Sequence, residues 1–451
     1  VDPYDDVEIS TSLIDQMPVS GRVIKESEVE ALDAEEWTLE NGAKVVYRFA
    51  DFEKDNILFR AHSPGGASLF GEEYVPSMNM LSSVIPFYGL GAYDQVTLQK
   101  MLTGKNVELN LSLNELAEGL SGNASPKDFE YLMQMIYLRF MSPRFDEEAH
   151  QAIVSRYKAF VENMSKNPQK IVSDSLNLIL TDYHPRTRVM NDEFIDDVEF
   201  EKLEEVYKDR YTDVSDFTFF FVGNIQKDEL KSYVERYIGS IADIDRKESW
   251  IDHDINEPTG KVDKEIQMEL SVPKSTAVIV LNNEMEFNSE NLVALKLING
   301  ILDLRFVETI REEEGGTYGV SANASLKHYP EQKASLFILF DTDPEKAEYL
   351  KELVYKELEK IVNDGPQQKD LDKAVKNLLK EREENKAHNS YWMNSLYTLY
   401  RHGYNPDDAS NFEDILNSVS GKDIQKVMKK LYKGANVVDL TFSPKEAAEG
   451  S

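Results

Sequence analysis

Arg311 and Tyr318 are the residues whose types and spacing could do chemistry in this sequence. They stand on either side of Gly315-Gly316 in the stretch RFVETIREEEGGTYGVSANAS, residues 305–325. A guanidinium and a phenol are both hydrogen-bond donors, and together they can hold a peptide carbonyl or a developing oxyanion. A tight turn at the glycines would bring the two groups to one edge of a sheet. We therefore treat both as candidate substrate-binding residues.

The elements that must position this pair are a helix before the glycines and a strand after them. Leu302, Phe306 and Ile310 recur every four residues, which predicts the buried stripe of a helix. Glycine favours the left-handed conformation of a helix C-terminus, so the helix should end at the glycine pair. The strand would then alternate between two sides, with Tyr318, Val320, Ala322 and Ala324 on one and Gly319, Ser321, Asn323 and Ser325 on the other.

Both candidate residues also have a purely structural interpretation. Arg311 could complement the helix dipole and pair with Glu308 one turn earlier. Tyr318 could be a half-buried strand aromatic. Residue types and spacing do not decide between these alternatives, so the architecture of the rest of the chain has to.

Metal chemistry is disfavoured by the placement of the histidines. The seven are His62, His150, His184, His253, His328, His388 and His402, and no two are three or four residues apart. A helical histidine pair that could grip zinc is therefore missing. His150 with Glu147 and Glu148 is the nearest approach to a ligand cluster, but a solvated helix face is the better interpretation. We predict no metal site and no cofactor in this chain.

Composition excludes several further classes. The formal charge of −32 makes nucleic acid and anionic membrane surfaces poor partners. The absence of cysteine removes disulfides, thiolate ligands and a cysteine nucleophile. No apolar run approaches the roughly 20 residues needed to span a bilayer. Neither glycine pair has the downstream residues of a phosphate loop, and no G-x-S-x-G elbow is present.

The order of predicted elements repeats along the chain. Pro126 and Pro344 begin corresponding helices, and FTFFFVGNI from Phe217 matches VVDLTFSPK from Val437, each pair about 220 residues apart. Hairpins followed by runs of helices predict an α+β fold of two tandem homologous domains, each a largely antiparallel or mixed sheet with helices packed on one face. We predict an acidic arm or linker over 1–30, domains over 31–241 and 263–446, and a connection over 242–262.

This order of elements, the repeat and the NGAKVVYR opening resemble the insulinase/pitrilysin-like zinc peptidases, and more narrowly the C-terminal half of a bacterial member. The resemblance extends from about Trp37 to Pro444. It implies domains three and four of a four-domain clamshell, of metallopeptidase LuxS/MPP-like fold. It also implies that Arg311 and Tyr318, in the second domain, fix a bound peptide beside a zinc site supplied from elsewhere.

The helix that should correspond to the family's zinc helix departs from the active pattern. VPSMNMLSSVIPFYGLG, residues 75–91, contains no His, Asp or Glu. The resemblance therefore implies a non-catalytic half that closes the peptide chamber and holds substrate, while zinc lies on an N-terminal catalytic half or a separate catalytic subunit. Peptide would bind by adding to a sheet edge.

Two other functions are kept as alternatives. The chain could be a non-enzymatic scaffold or core subunit of an assembly built on the same fold. An independent hydrolase that uses His150 or His184 is the third. Residues 1–30 are expected to act as the hinge to the catalytic half. The compartment is not readable from the sequence, although the resemblance implies a bacterial periplasm or cell envelope.

Overall fold

The structure is a computed structural model that describes residues 12–270, 272–313, 319–403 and 409–445. The side chains of 311–313, 409 and 410 are outside this description. The strands are β1 Val23–Val29, β2 Ala34–Leu39, β3 Lys44–Phe49, β4 Ile57–Pro64, β5 Val107–Leu113, β6 Ala117–Ala124, β7 Thr218–Gly223, β8 Lys261–Met268, β9 Ser275–Glu284, β10 Val320–Lys327, β11 Lys333–Thr342 and β12 Asn436–Pro444.

Helices separate these strands in two runs. The first run is α1 Val75–Val84, α2 Gln95–Leu102, α3 Phe129–Met141, α4 Glu147–Met164, α5 Pro168–Leu180, α6 Asp192–Asp196, α7 Phe200–Arg210 and α8 Lys227–Tyr233. The second is α9 Ser289–Phe306, α10 Ala347–Asp364, α11 Gln368–Asn385, α12 Asn389–His402, α13 Ala409–Ser418 and α14 Gly421–Tyr432. No helix in the described ranges has the length and apolarity that crossing a membrane requires.

The residues form two compact units, each built around one sheet. Unit 1 comprises 1–162, 190–253 and 385–401, and unit 2 comprises 163–189, 254–384 and 402–451. The units are defined by packing rather than by chain segment. The predicted domain boundaries therefore stay a prediction.

The two sheets share one topology. The order in unit 1 is β1-β2-β3-β7-β4-β6-β5, and in unit 2 it is β10-β11-β9-β12-β8. Read from the opposite end, the second sheet matches the last five strands of the first. In both, one parallel pair, β3 with β7 and β8 with β12, adjoins a run of antiparallel pairs. The predicted α+β class and the internal duplication are confirmed.

Strand β7 shows why the sequence TFFFVG is apolar without alternation. Phe219 and Phe221 point into the main core of unit 1, beside residues of α1, α3 and α7. Phe220 and Val222 point to the opposite face, where they contact Met393 and Leu396 of α12. A central strand that is covered on both faces loses almost all of its surface, and such strands read as continuous hydrophobic runs.

Each sheet has its second face covered by one helix that comes from the other repeat. In unit 1 this helix is α12, and its Trp392 ring lies 3.8 Å from the Arg48 guanidinium. In unit 2 it is α5, whose buried Ile179 packs with Val278 of β9 and Leu440 of β12. The two helices begin at Asn389 and Pro168 and so keep the spacing of about 220 residues. Each repeat therefore supplies one helix that packs on the sheet of the other repeat.

The structure differs from our expectation for residues 1–30. Within the predicted arm or linker, Val23–Val29 forms β1, which pairs with β2 along the edge of the sheet. Its burial pattern, five exposed residues between two half-buried ones, has no apolar alternation. The strand is held by main-chain hydrogen bonds to an existing edge, and these leave little trace in side-chain types.

Candidate functional site

The helix expected to correspond to the zinc helix is α1. Seven of its ten residues are buried, among them Met78, Leu81 and Val84, and its sequence VPSMNMLSSV offers no imidazole or carboxylate. The ranges that the structure describes hold no group of three or more His, Cys, Asp or Glu side chains placed to bind a metal ion. Helix α1 fills the core of unit 1, and its residues do not fit a zinc ion.

His150 is placed differently from our expectation of a solvated helix face. The side chain is buried, and its Nδ1 lies 2.8 Å from the hydroxyl of Tyr88. Its ring packs edge-on against Phe200 at 5.5 Å. Burial, the largest cause, lowers the pKa of His150 and keeps it neutral near pH 7. His150 is therefore a packed core histidine rather than a member of a ligand set.

The candidate substrate-binding pair falls at the end of α9. A π-helix, Val307–Glu313, continues directly from Phe306, so the backbone of Arg311 is helical as predicted. The Arg311 side chain and the whole of Tyr318 lie outside the described residues, as does the glycine pair. Their roles therefore stay predictions. The elements on either side of them are α9 and β10.

A partly buried ionic cluster fixes the end of α9. The Arg305 guanidinium donates from Nε to Glu357 at 3.0 Å and from Nη1 to Glu308 at 2.8 Å. Burial opposes charge on Glu357, but hydrogen bonds from Lys360 and Arg305 outweigh it and lower the pKa of that carboxyl. Glu308, the alternative partner considered for Arg311, is thus engaged by Arg305. The cluster ties the last turn of α9 to α10.

Strand β10 lies at the edge of the unit 2 sheet and follows the predicted alternation. Ser321, Asn323 and Ser325 are exposed, whereas Ala324 is buried and Ala322 is half-buried. In the described part of the chain β10 pairs with β11 alone. The other side of this strand is an open edge of backbone donors and acceptors.

A single side chain closes part of that edge. The Asn299 amide of α9 donates from Nδ2 to the Ala324 carbonyl at 3.0 Å, and its Oδ1 accepts from the Ala324 N–H. Both backbone groups of Ala324 therefore point away from β11. In an antiparallel ladder such groups repeat every second residue, so those of Ala322 and Val320 point the same way. The Asn299 amide therefore occupies this edge of β10 at Ala324.

Sequence reasoning missed Asn299, although a signal was present. The segment LVALKLINGILDLRF is apolar over most of α9, and Asn299 interrupts it. A polar amide on a mostly buried helix requires hydrogen-bond partners, and the backbone of a neighbouring edge strand offers a donor and an acceptor together.

Comparison with known proteins finds a family model and several relatives that resemble this chain. Residues 197–378 match the family model described as the Peptidase M16 inactive domain. Over this range the chain is similar to M16 peptidase inactive domains. It is homologous to the PqqL zinc proteases: it is 22% identical over 341 residues to the probable zinc protease PqqL of Haemophilus influenzae. That match includes 74% of this chain and 35% of the relative, so the chain spans about a third of the relative's length.

Solved structures show the same fold at low identity. The periplasmic protease PqqL from Escherichia coli superposes with a TM-score of 0.82 at 17% identity, over 98% of this chain and 49% of that one. A peptidase M16 inactive domain from Pseudomonas fluorescens gives a TM-score of 0.74 at 18% identity, over 92% of this chain and 99% of that one. The resemblance to a C-terminal half of a zinc peptidase is confirmed.

Proposed function

We propose that this chain is the non-catalytic half of a two-part zinc metallopeptidase, which closes the peptide chamber and holds the substrate. The inactive-domain match and the apolar helix α1 support a half that leaves zinc and the general base to another half or subunit. Peptide hydrolysis requires a metal-activated water and a polarised carbonyl. Only the second contribution is available from the residues of this chain.

The observation that carries the proposal is the half-open edge of β10. An extended peptide can add to such an edge through main-chain hydrogen bonds, which tolerate many side chains. The Asn299 amide occupies the backbone groups of Ala324, so pairing is confined to the stretch around Val320 and Ala322. This stretch is contiguous in the chain with the segment that holds Arg311 and Tyr318, where two donors would meet the carbonyl of the same peptide.

The test is peptide cleavage by the protein combined with its catalytic half. Arg311→Ala and Tyr318→Phe each remove one donor, and each is expected to lower kcat/KM by about tenfold to a hundredfold. Arg22→Ala, at an exposed position paired with Glu40, and Tyr157→Phe are the matched controls and should leave cleavage unchanged.

Unchanged cleavage in both Arg311→Ala and Tyr318→Phe would remove the proposed roles of these residues. Absence of any catalytic partner, with the chain found in a stable assembly that does not cleave peptides, would instead favour the scaffold function. We propose a bacterial periplasm or cell envelope as the location, which is supported by the description of the Escherichia coli protein of the same fold as a periplasmic protease. Fractionation of cells that express the full gene tests this location.

A further inference from the structure

A cleft of about 390 Å³ in unit 1 is lined by Arg60 and His62 of β4 and by Tyr397 of α12. It lies on the face of the sheet that α12 covers, with Gly119 and Ser121 of β6 in its floor. Strand β4 places Arg60 and His62 on this face, because its residues alternate and Phe59 and Ala61 point into the main core. Side chains that alternate along β4 therefore form one wall of the cleft.

Side chains of α12 form the other wall. Tyr397 and Arg401 are four residues apart on α12 and so lie on the same side of the helix. The Arg60 guanidinium stacks on the Tyr397 ring, with Cζ 3.3 Å from the ring centroid. The Arg401 Nη1 donates to the Tyr397 hydroxyl at 2.9 Å. Two cationic groups thus converge on one phenol.

Neither guanidinium has a counter-charge among the residues that the structure describes. Among the described residues no ion pair joins Arg60 or Arg401 to an Asp or Glu, although the chain has 82 acidic residues against 50 basic ones. Burial is the largest cause that lowers the pKa of Arg60, and repulsion from Arg401 adds to it. Half-buried arginines are usually paired, since an unpaired charge away from water costs free energy. The site is therefore electrostatically incomplete.

His62 adds a neutral donor. Burial, followed by the nearby Arg401 and Arg60, lowers the pKa of His62 to about 4, so the imidazole is neutral at pH 7. Its Nδ1 lies 3.3 Å from the Tyr397 hydroxyl, which accepts from Arg401, and we assign the hydroxyl proton to the hydrogen bond with Nδ1. The proton of the neutral ring is then on Nε2, as a further donor.

We propose that this cleft binds a carboxylate group of a peptide, held by Arg60 and Arg401 with the His62 Nε2–H as a third donor. A guanidinium that stacks on an aromatic ring keeps its edge free, and the fork of N–H groups on that edge matches the two oxygens of a carboxylate. The carboxylate is either the C-terminus of the peptide or an Asp or Glu side chain. In naming a peptide as the carrier, this inference rests on the proposed function.

The experiment measures binding of three acetylated alanine tetrapeptides to the full chain by calorimetry, at low salt. One has a free C-terminus, one is amidated, and one is amidated with glutamate as its last residue. We expect a carboxylate-bearing peptide to bind about tenfold or more tightly than the neutral amide. Preference for the free C-terminus identifies a terminal carboxylate, and equal binding of the glutamate peptide identifies a side chain. Equal affinity for all three, or binding of inorganic phosphate alone, overturns the proposal.

Substitutions connect the binding to the cleft. Arg60→Met and Arg401→Gln should each abolish the preference for carboxylate, Arg60→Lys should weaken it, and the exposed Arg22→Gln should retain it. Bound carboxylate should also raise the pKa of His62 in an NMR titration, a change that a merely structural arginine would not produce. Undiminished preference in Arg401→Gln, which lies at a half-exposed helix position, overturns the assignment even if Arg60→Met fails to fold.

This binding assay needs no catalytic partner. Loss of the carboxylate preference with normal cleavage would therefore overturn the cleft alone. Carboxylate binding without any effect of Arg311→Ala and Tyr318→Phe on cleavage would overturn the proposed function alone.

Discussion

At the residue scale, burial rather than the number of charges decides which ionisable groups have a shifted pKa and so affect stability. Glu118 is only 2% exposed; its Oε2 accepts from the Gly66 N–H at 2.7 Å, and its Oε1 lies 3.6 Å from Arg210 Nη1. Burial is the largest cause that raises the pKa of Glu118 to about 7, against the opposing attraction of Arg210. Arg210 itself donates to Glu248 at 2.8 Å, which explains why it compensates Glu118 only in part.

The raised pKa of Glu118 predicts a pH-dependent stability. Between the ordinary carboxyl pKa of 4.5 and about 7, the folded protein binds a proton that the unfolded chain has lost, so stability falls as pH rises through this window. We expect Glu118→Gln to remove up to about 3 kcal/mol of this loss. Urea unfolding from pH 4.5 to 8 measures it, with the exposed Glu108→Gln as control. Equal pH slopes in the wild type and Glu118→Gln would contradict the prediction.

The residue scale also shows where prediction from sequence ends. Arg311 and Tyr318 were singled out by type and spacing, but the structure describes only the backbone of Arg311. The convergence of Arg60 and Arg401 could not be predicted, because it depends on α12 lying over β4. That packing joins residues more than 300 positions apart, and local periodicity has no information about it.

At the element scale, the hydrogen bonds between Asn299 of α9 and the Ala324 backbone of β10 limit what the edge strand can pair with. We expect Asn299→Ala to leave the Ala324 N–H and carbonyl without their partner and to lower the free energy of unfolding by about 1–3 kcal/mol. Amide hydrogen exchange at Ala324 should accelerate in the same variant. Asn323→Ala, at an exposed position of the same strand, serves as the control.

The outcome for cleavage is separate from the outcome for stability. If peptide pairs with β10 only around Val320 and Ala322, then freeing Ala324 lengthens the available edge and should broaden the range of peptide registers that are cleaved. An unchanged set of cleavage products from Asn299→Ala would show that the amide does not limit pairing.

Most elements followed from sequence because their residues alternate or recur within one segment. The hairpin at Asn41-Gly42 joins β2 and β3, with Gly42 at φ 87°, as the turn residues predicted. Strand β1 could not be predicted from the sequence, because main-chain pairing rather than side-chain type determines it. The packing of α5 and α12 on the sheet of the other repeat could not be predicted either, because the apolar stripe of a helix does not specify which sheet it covers.

At the scale of the whole molecule, the packing of one helix from each repeat on the sheet of the other couples the two repeats. Leu396 is fully buried on the outer face of the unit 1 sheet although it belongs to the second repeat. We expect Leu396→Ala to cost about 2–5 kcal/mol and to accelerate hydrogen exchange in β3 and β7, strands of the first repeat.

Ile179→Ala supplies the reciprocal measurement. Ile179 belongs to the first repeat and packs on the unit 2 sheet, so exchange should accelerate in β9 and β12. Phe160→Ala, at an exposed position of α4, is the control. If each substitution affected only the strands of its own repeat, the coupling would be refuted.

The packing of one helix from each repeat on the sheet of the other repeat has a consequence for how the gene can be inherited. A gene fragment that encodes only residues 31–241 would yield a sheet whose Val46, Phe220 and Val222 face water, and a stray helix with an apolar stripe and nothing to cover. The exposed apolar surface of such a product would promote aggregation. We therefore expect that deleting either repeat from the gene would leave a product that does not fold by itself.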